Sequence, residues 1–272
     1  MTVHSLAVCS LKGGVGKTTI ALNLAFAFAR RGIRTLLVDT DPQGAIGLSL
    51  MGSARLQSGL AGLVFGAAQK PDIRASFIPT KLPGFSLLPM GQVHPIDIDA
   101  FADDLGRSGL LTQLLKEAEG FFDLVIFDTP AGLGGTTRKV LEAVEHVLLP
   151  VQCEPLSLRA LPGALELLTS LRERGAKCSL VGLVANMSSF RDPVMLAVLE
   201  EVWSLYARAL IDTSIPRDQA FLEASRAGVP VGLLARRPPP VAMTFDKLAA
   251  ELEGPLGVAE GDSDDKPISL LD

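Results

Sequence analysis

Short apolar runs alternate with longer stretches of helical periodicity along most of the chain. Runs of Val, Ile and Leu bounded by turn residues predict buried strands, and apolar residues at helical spacing predict helices between them. This alternation is typical of an α/β fold in which a mostly parallel β-sheet has helices on both faces. The predicted strands are 4–10, 34–39, 85–91, 121–128, 147–152 and 179–186, and the predicted helices are 17–30, 110–119, 158–173, 193–208 and 242–252.

The pattern shows no internal repeat and no linker, so residues 1–253 are predicted to form a single domain. Between 52 and 98 the periodicity is broken, and the strand at 85–91 is the main element predicted there. After residue 253 Gly, Asp, Ser and Pro dominate, which predicts an acidic, disordered tail over 254–272. In open α/β sheets ligands bind at the carboxyl ends of the strands, so the functional site is expected at that edge.

Composition and charge narrow the class of protein. Of the 272 residues, 48% are apolar, which is enough for a sizeable core, and no uncharged apolar run is long enough for a transmembrane helix. The three cysteines form no C-x-x-C pair, so neither a disulfide framework nor a zinc knuckle is expected. This use of cysteine is typical of a cytoplasmic protein, which is therefore the expectation. Residues 251–272 contain seven acids and one lysine, a net −6, which leaves +1 for the rest of the chain. That balance neither requires nor excludes a nucleic-acid partner.

The strongest motif is the segment LKGGVGKTT at 11–19, which follows a predicted strand and begins a predicted helix. This context indicates a phosphate-binding loop, because glycines let the backbone wrap phosphates with its N–H groups free to donate. A plain glycine-rich turn is the alternative. Lys17 is expected to reach the β and γ phosphates, and the Thr18 hydroxyl to bind Mg²⁺. The predicted nucleotide contacts are Gly13, Gly14, Val15, Gly16, Lys17, Thr18 and Thr19.

Acidic residues end two of the predicted strands. Asp128 follows four apolar residues, which is the Walker B pattern, and its carboxylate is expected to bind Mg²⁺ through water. An Asp that merely begins a turn before Pro130 is the alternative. Asp39 and Asp41 end the second strand. A carboxylate beside a phosphate-binding loop can orient water or hold the metal's shell, and Asp39 can equally cap the turn.

The loop resembles the deviant Walker A motif, KGGxGK[ST], of the ParA/MinD group of P-loop ATPases, with Leu11 at the usual first glycine and a second lysine at Lys12. The resemblance implies that Lys12 reaches across a nucleotide-sandwich dimer to the partner's ATP; an exposed loop lysine is the alternative. The segment LLVDTDPQG at 36–44 looks like the ParA segment in which the second Asp assists hydrolysis, a role that passes to Asp41. The implied catalytic residues are Lys12, Lys17 and Asp41.

Two later segments extend the resemblance over roughly residues 4–250. PVQCE at 150–154 is similar to a ParA segment in which the position of Cys153 is a buried strand end. The spacing of IPR, EA and GVP between 215 and 230 matches the ParA loop that, with an Asn ending the preceding strand, holds the adenine. The matching positions are Asn186, Pro216 and Arg217, whereas Asp218 replaces the usual Asn.

The resemblance therefore implies a ParA-like ATPase that uses ATP and Mg²⁺ and forms an ATP-dependent homodimer. Such a dimer binds DNA non-specifically and separates when a ParB-like or other cargo-borne activator protein stimulates hydrolysis. The cargo is a plasmid, a chromosome or a protein cluster, and a cytoplasmic, nucleoid-associated protein is expected. Only three residues precede the first strand, so no N-terminal helix-turn-helix is expected. The candidate DNA contacts are Arg191, Arg208, Arg226, Arg236 and Arg237.

Three rival functions can be weighed. A MinD-like positioning ATPase acting at a membrane or on a non-DNA scaffold is the main alternative; a membrane switch needs a basic amphipathic carboxyl-terminal helix, whereas this chain ends acidic. No membrane partner is therefore expected. An iron-protein-type reductase needs cysteines that bind an iron–sulfur cluster. Here Cys9 lies in the first predicted strand and Cys153 belongs to the PVQCE segment. A non-hydrolysing scaffold would lack a water-orienting residue such as Asp41. Between 189 and 237 there are six arginines and six acids, so the expectation of DNA binding depends on the resemblance.

Overall fold

The computed structural model describes residues 2–44, 46, 59–66, 72–189 and 191–258. The strands are β1 His4–Val8, β2 Thr35–Asp39, β3 Ile78–Pro79, β4 Phe85–Leu88, β5 Leu124–Asp128, β6 His146–Gln152, β7 Ser179–Ser188 and β8 Ile215–Pro216. The helices are α1 Lys17–Arg30, α2 Gly59–Phe65, α3 Ile98–Ser108, α4 Leu110–Ala118, α5 Gly135–Ala143, α6 Pro155–Glu173, α7 Pro193–Tyr206, α8 Ala220–Ala227 and α9 Met243–Leu256.

The described strands form one sheet in the order β3-β4-β2-β5-β1-β6-β7-β8. All neighbouring pairs are parallel except β3 and β4, so the antiparallel strand lies at an edge. In the register of the three central strands, Asp128 of β5 lies opposite both Val8 of β1 and Asp39 of β2. The carboxyl ends of these strands therefore meet at one edge of the sheet, where the loop after β1 begins.

Helices cover both faces of the sheet, which confirms the predicted fold class. Successive residues of β5 point to opposite faces, so Ile126 joins a core with Phe28 of α1 and Phe245 of α9, whereas Phe127 joins a core with Phe101 and helices α3 to α6. All five of these side chains are buried. A strand that is apolar on both faces is what a doubly covered parallel sheet requires.

Several element bounds differ from those predicted. Helix α6 begins at Pro155, three residues before the predicted start, because proline at the first helical position has its φ already set and needs no N–H partner. Apolar periodicity did not reveal α3, α5 or α8. The region 52–98, left largely without predicted elements, contains α2, β3, β4 and two short 3₁₀ turns in its described part.

The predicted boundary at 253 falls inside α9. The helix continues to Leu256, Gly257 ends it in the left-handed conformation at φ 71°, and Val258 is buried. The acidic tail therefore cannot begin at 254 as predicted; the remainder, 259–272, lies outside the described residues. No helix in the described part of the chain is long and apolar enough to cross a membrane.

The three cysteines are free and buried. Burial raises the pKa of the Cys9 thiol to about 12, and it also raises the pKa values of Cys153 and Cys178. A thiol that holds its proton is a poor ligand and a poor nucleophile, so these cysteines act as small apolar core residues.

One ion pair joins the starts of two central strands. The guanidinium of Arg34, just before β2, donates to both carboxylate oxygens of Asp123, just before β5, at 3.0 and 2.5 Å, and the Arg34 backbone N–H donates to the same carboxylate at 2.9 Å. A further bond runs from Arg34 to the Gly120 carbonyl at 2.9 Å. Hydrogen bonding from Arg34 lowers the pKa of Asp123, against the opposing effect of its burial. The pair therefore fixes how β2 and β5 enter the sheet.

We expect Asp123→Ala to lower the free energy of unfolding by about 1–3 kcal/mol, because it leaves charged donors without their acceptor. Asp104→Ala is the control, since its pair with Arg107 is exposed and is expected to contribute about 0.5 kcal/mol or less. Because the folded-state pKa of Asp123 is lowered, its contribution is complete above the unfolded-state pKa of about 3.9 and is lost as pH falls through the folded value. Urea unfolding at neutral and acidic pH measures both effects; equal losses in the two variants would contradict the assignment.

Candidate functional site

The loop from Ser10 to Gly16 joins β1 directly to α1, as the motif predicts. The Ser10 hydroxyl donates to the Lys12 carbonyl at 2.7 Å, and the Gly132 N–H, from the loop after β5, donates to the Ser10 carbonyl at 3.1 Å. Gly14 and Gly16 have φ values of 76° and 86°, which only glycine adopts without strain. The Ile20 N–H then donates to the Gly16 carbonyl at 2.9 Å and begins the helix. The backbone is thus shaped before any ligand enters.

Asn186 fixes the last part of this loop from a neighbouring strand. Its side-chain amide, near the end of β7, donates to the Val15 carbonyl at 2.6 Å and is buried. A Cβ on Gly16 would lie 2.4 Å from the same amide nitrogen. The sequence assigned Asn186 to the adenine by resemblance; in the structure this side chain supports the phosphate-binding loop. Only the tertiary fold reveals that role, since 171 residues separate the two partners.

Lys17 and Asp128 form the charged centre of the site. Lys17 is the first residue of α1 and is only 7% exposed, while Asp128, at the end of β5, is fully buried. Among the described residues, no donor meets both the distance and the angle of a hydrogen bond to either carboxylate oxygen of Asp128, although the Thr18 hydroxyl approaches the carboxylate. Burial, followed by the charge of Asp39, raises the pKa of Asp128 well above its usual value; the Thr18 hydroxyl and the Lys17 ammonium oppose the rise.

The residues around Asp128 fit a magnesium ion. A buried carboxylate without a donor is costly unless a cation or proton compensates for it. Mg²⁺ takes oxygen ligands and keeps several waters, so one carboxylate and one hydroxyl are a sufficient protein contribution. Asp128 and Thr18 supply that pair at the mouth of the loop. If Asp128 only began a turn, nothing would fully offset the free-energy cost of burying its carboxylate.

Asp39 and Asp41 have different surroundings. Asp39 is buried and accepts the backbone N–H groups of Asp41 at 3.0 Å and Ile46 at 3.1 Å, one on each oxygen. Of the two roles left open for Asp39, turn capping is therefore what the structure shows. Asp41 is half-buried and accepts the Gln43 N–H at 2.9 Å, and its charge is among those that raise the pKa of Asp128. Asp41 thus lies near the charged centre while remaining in contact with solvent.

Lys12 contacts its own chain. Its ammonium lies 2.9 Å from Glu154, just before α6, and the other oxygen of Glu154 accepts from the Gln152 amide at 2.5 Å. Both members of the ion pair are 36% exposed. The pair joins the phosphate-binding loop to the end of β6, so Lys12 is neither buried nor a freely solvated lysine.

The other residues predicted for the adenine lie beside Asn186. Ser188 of β7 pairs with Pro216 of β8, and the Arg217 N–H donates to the Ser188 carbonyl at 3.1 Å. The Arg217 side chain is exposed. Asp218, in place of the usual Asn, accepts the Ala220 N–H at 2.8 Å and so caps the start of α8. The structure therefore brings the predicted residues together at one end of β7 and β8, beside the loop.

Sequence reasoning missed Asn23. It is 4% exposed within the apolar helix α1, donates to the Thr19 carbonyl at 2.8 Å, and accepts the Val231 N–H at 2.7 Å. These bonds attach the first turn of the helix to the segment after α8. A lone amide among the apolar residues of KTTIALNLAFAFAR was the available signal.

The five arginines proposed for DNA are all exposed, and none forms an ion pair within the part of the chain that the structure describes. Arg191 precedes α7 and Arg208 follows it, Arg226 belongs to α8, and Arg236 and Arg237 lie between α8 and α9. They are therefore available to a polyanion, but they come from separate segments.

Comparison with known proteins identifies the family. A family model described as an AAA domain matches residues 3–181, and the ParA chromosome partitioning protein of Caulobacter vibrioides is 31% identical over 237 residues, covering 83% of this chain and 85% of that protein. The chain belongs to the ParA/MinD family of P-loop ATPases. The chromosome-partitioning ATPase Soj of Thermus thermophilus is 32% identical over 251 residues, covering 92% of this chain and 95% of that protein.

The fold of the ParA/MinD family extends over the whole described domain. The septum site-determining protein MinD of Pyrococcus horikoshii, solved with Mg-ADP, superimposes with a TM-score of 0.73 and covers 95% of this chain and 98% of that one. At 23% identity this likeness concerns the fold. It agrees with the sheet order and with the position of the loop after β1.

We expect Gly16→Ala to cost more stability than Gly14→Ala. Both changes place a side chain at positive φ, which costs about 1–2 kcal/mol. Only the Gly16 methyl meets an atom, Asn186 Nδ2, and displacing that amide should add about 1–3 kcal/mol. Nothing lies within 4 Å of a Cβ on Gly14, which makes it the matched control. Denaturant unfolding of the nucleotide-free protein measures the difference, and equal costs would show that the Asn186 bond is dispensable.

We expect Asp128→Asn to raise the free energy of unfolding of the nucleotide-free protein at pH 7 by about 1–3 kcal/mol, since it removes a buried carboxyl group whose charge Thr18 and Lys17 offset only in part. An acid whose folded-state pKa is raised costs stability above the unfolded-state pKa of about 3.9, so the gain should shrink as pH falls.

Asp39→Asn is the control for Asp128→Asn and should destabilise, because both Asp39 oxygens accept backbone N–H groups. Thermal unfolding of both variants over a range of pH measures their stability relative to wild type. A destabilised Asp128→Asn would mean that donors already hold the carboxylate.

Proposed function

We propose that this chain is a Mg²⁺-dependent ATPase that segregates or positions a cargo by switching between a monomer and an ATP-dependent dimer. The observation that carries the proposal is the buried Asp128 carboxylate, without a hydrogen-bond partner among the described residues, at the mouth of a phosphate-binding loop. The names of the relatives, chromosome partitioning for ParA and Soj and septum-site determination for MinD, support a cargo-moving role.

The loop and the helix after it would bind the nucleotide. Backbone N–H groups from Gly13 to Thr19 would donate to the phosphates, and the amino end of α1 favours negative charge. Lys17 would add a buried ammonium, which in this low-dielectric position interacts more strongly with phosphate than an exposed lysine does. Asn186, Pro216 and Arg217 lie beside the loop where the base would bind.

Thr18 and Asp128 would hold the metal, Thr18 through its hydroxyl and Asp128 through its carboxylate or an intervening water. Bound Mg²⁺ supplies charge neutralisation for the phosphate oxygens. Asp41 would accept a hydrogen bond from the attacking water and so orient it. The Gln43 N–H holds one Asp41 oxygen and the turn capped by Asp39 fixes its backbone, which suits a positioning role.

Lys12 would act on the second subunit. In the single chain its ammonium is bound to Glu154, and both groups are partly solvated, so the pair costs little to break. When two ATP-loaded chains meet loop to loop, the triphosphate of the partner offers Lys12 a stronger anion than Glu154 does. If Lys12 exchanged Glu154 for the triphosphate of the second subunit, nucleotide binding would be coupled to dimer formation. Hydrolysis would reverse that exchange.

Partition through DNA is preferred over action at a membrane. Two relatives that are 31% and 32% identical to this chain, ParA and Soj, are named for chromosome partitioning. The last described helix, α9, carries Asp246, Glu251 and Glu253 against Lys247, so it offers no basic face to anionic lipid. We therefore propose a cytoplasmic, nucleoid-associated protein whose hydrolysis a ParB-like or other cargo-borne activator stimulates.

The dimer and hydrolysis steps can be separated by two variants. With ATP and Mg²⁺ we expect Asp41→Ala to dimerise and to hydrolyse at least about tenfold more slowly, so that light scattering detects a lasting dimer. Lys12→Ala should bind ATP within about threefold of wild type and stay monomeric, because the charge that crosses the interface is gone.

Lys177→Ala, which removes an exposed lysine distant in sequence from the loop, is the control and should behave as wild type. Glu154→Gln breaks the ion pair but keeps Lys12, and should retain dimerisation within about twofold. If Glu154→Gln abolishes dimerisation as Lys12→Ala does, Lys12 acts through the ion pair within its own chain. If Asp41→Ala stays monomeric, Asp41 binds nucleotide or supports structure instead.

DNA binding is expected to require ATP, to ignore sequence and to fall steeply with salt, because phosphate contacts release counterions. Arg236→Glu combined with Arg237→Glu should weaken binding at least about tenfold without changing ATP-dependent dimerisation. Arg172→Glu with Arg174→Glu, exposed arginines at the far end of α6, is the charge-matched control. Gel shifts at about 50 and about 200 mM salt measure the slope. Absence of a shift at the lower salt, with the dimer confirmed, would exclude DNA as the scaffold.

A further inference from the structure

Two of the three histidines of the chain lie together at the edge of the sheet opposite the phosphate-binding loop. His4 begins β1 and His146 begins β6, and Leu6, two residues after His4, is the register partner of His146. Because residues two apart on a strand share a face, both imidazoles lie on the same face of the sheet. Their ring centroids are 6.4 Å apart.

Glu145 completes the group and has a fixed backbone. Its N–H donates to the Ser5 hydroxyl at 3.0 Å, and its carbonyl accepts from the Ser179 N–H at 2.9 Å and hydroxyl at 3.2 Å. Its carboxylate lies 3.6 Å from His4 Nδ1. The buried oxygen Oε2 has no hydrogen-bond partner among the described residues. This carboxylate is therefore directed toward the imidazoles without being satisfied by them.

The ligand atoms are close enough for one ion. One atom from each of His4, Glu145 and His146 lies within 4.8 Å of the other two. Around tetrahedral Zn²⁺, with bonds of about 2.0–2.1 Å, ligand atoms stand about 3.3 Å apart. The required contraction is at most about 1.5 Å, and the three side chains, all partly exposed, have room to make it.

The surroundings favour a cation bound by neutral imidazole. Helix α9 ends above His4, since a Cβ on Gly257 would lie 3.2 Å from His4 Cε1, and the carboxyl end of a helix attracts positive charge. Histidine binds metals through its neutral imidazole, and half-buried rings such as these favour that form.

We propose that His4, Glu145 and His146 form a binding site for a divalent transition-metal cation of the zinc class, with water completing its coordination. Two imidazoles and one carboxylate are a donor set that zinc accepts with an open position. Six residue steps of extended chain, from His4 to Ser10, separate this site from the phosphate-binding loop by about 20 Å, so it is independent of the nucleotide and of Mg²⁺. A bound ion would fasten the start of β1 to the connection between α5 and β6.

Calorimetry with ZnCl₂ on the full, untagged, metal-stripped chain tests the site, with excess MgCl₂ present to occupy carboxylates that prefer Mg²⁺. We expect one zinc ion per chain. His4→Ala and His146→Ala should each weaken binding at least about tenfold, and Glu145→Gln at least about threefold. His94→Ala, which removes the exposed histidine elsewhere in the chain, should leave the affinity within about twofold.

Cobalt(II) spectra provide a second readout, in which an imidazole–carboxylate site gives d–d bands without a thiolate charge-transfer band. Zinc should also raise the thermal midpoint of wild type and of His94→Ala, and should raise the midpoints of the other variants by less at the same zinc concentration. Absence of zinc binding, equal binding by both His4→Ala and His146→Ala and wild type, or a thiolate band would each overturn the proposal. If one histidine variant fails to fold by circular dichroism, the other decides.

Discussion

The carboxylate of Asp128 is the group on which the arrangement of the site depends. It is fully buried at the end of the central strand β5, and, although the Thr18 hydroxyl and the Lys17 ammonium lie nearby, the described residues form no hydrogen bond of good geometry to its oxygens. Such a group raises the free energy of the empty protein. The surrounding sheet tolerates it because β1 and β2, on either side, hold β5 in a fixed register. The empty site is therefore electrostatically unfavourable, and a bound cation with phosphates would remove that free-energy cost.

The groups around Asp128 divide between rigid support and partly solvated contacts. Asp39, Asn186 and Asn23 are buried and use their polar atoms on backbone partners, so they fix the turn after β2, the phosphate-binding loop and the first turn of α1. Asp41 and Lys12 are only partly buried, and Lys12 is held by one solvated ion pair. A switch needs both kinds of contact: a loop that is preorganised for its ligand, and charged groups that can change partners at little cost.

The two edges of the sheet carry different chemistry. At the carboxyl edge the strand ends bring together Lys17, Asp39 and Asp128, as expected for a parallel sheet. At the amino edge the Arg34–Asp123 pair joins β2 to β5, and the His4–Glu145–His146 group joins β1 to the start of β6. The loop after β1 is therefore held at a distance from the strand starts by the five residues of β1, of which the four after His4 are buried.

Local patterns in the sequence were sufficient to predict the fold class and the position of the phosphate-binding loop. Both depend on local patterns: the apolar strands, and a glycine-rich loop with Lys17 and Thr18 between a strand and a helix. The sequence also named Asp128, because a strand followed by an acid is visible in one short segment. Local patterns failed elsewhere. Helices α3, α5 and α8 lack a decisive apolar pattern, and the change of composition at 253 did not reveal that α9 continues to Leu256.

The partners of the polar residues, in contrast, follow from the folded chain and not from any local pattern. Asn186 meets Val15 across 171 positions and Lys12 meets Glu154 across 142, so no spacing in the sequence foretells either bond. Asp39 and Asp41 stand two residues apart with the same chemistry, yet burial turns one into a turn cap and leaves the other near solvent. The physical reason is that a hydrogen bond or an ion pair depends on the distance between two groups in space, and the sheet order sets that distance.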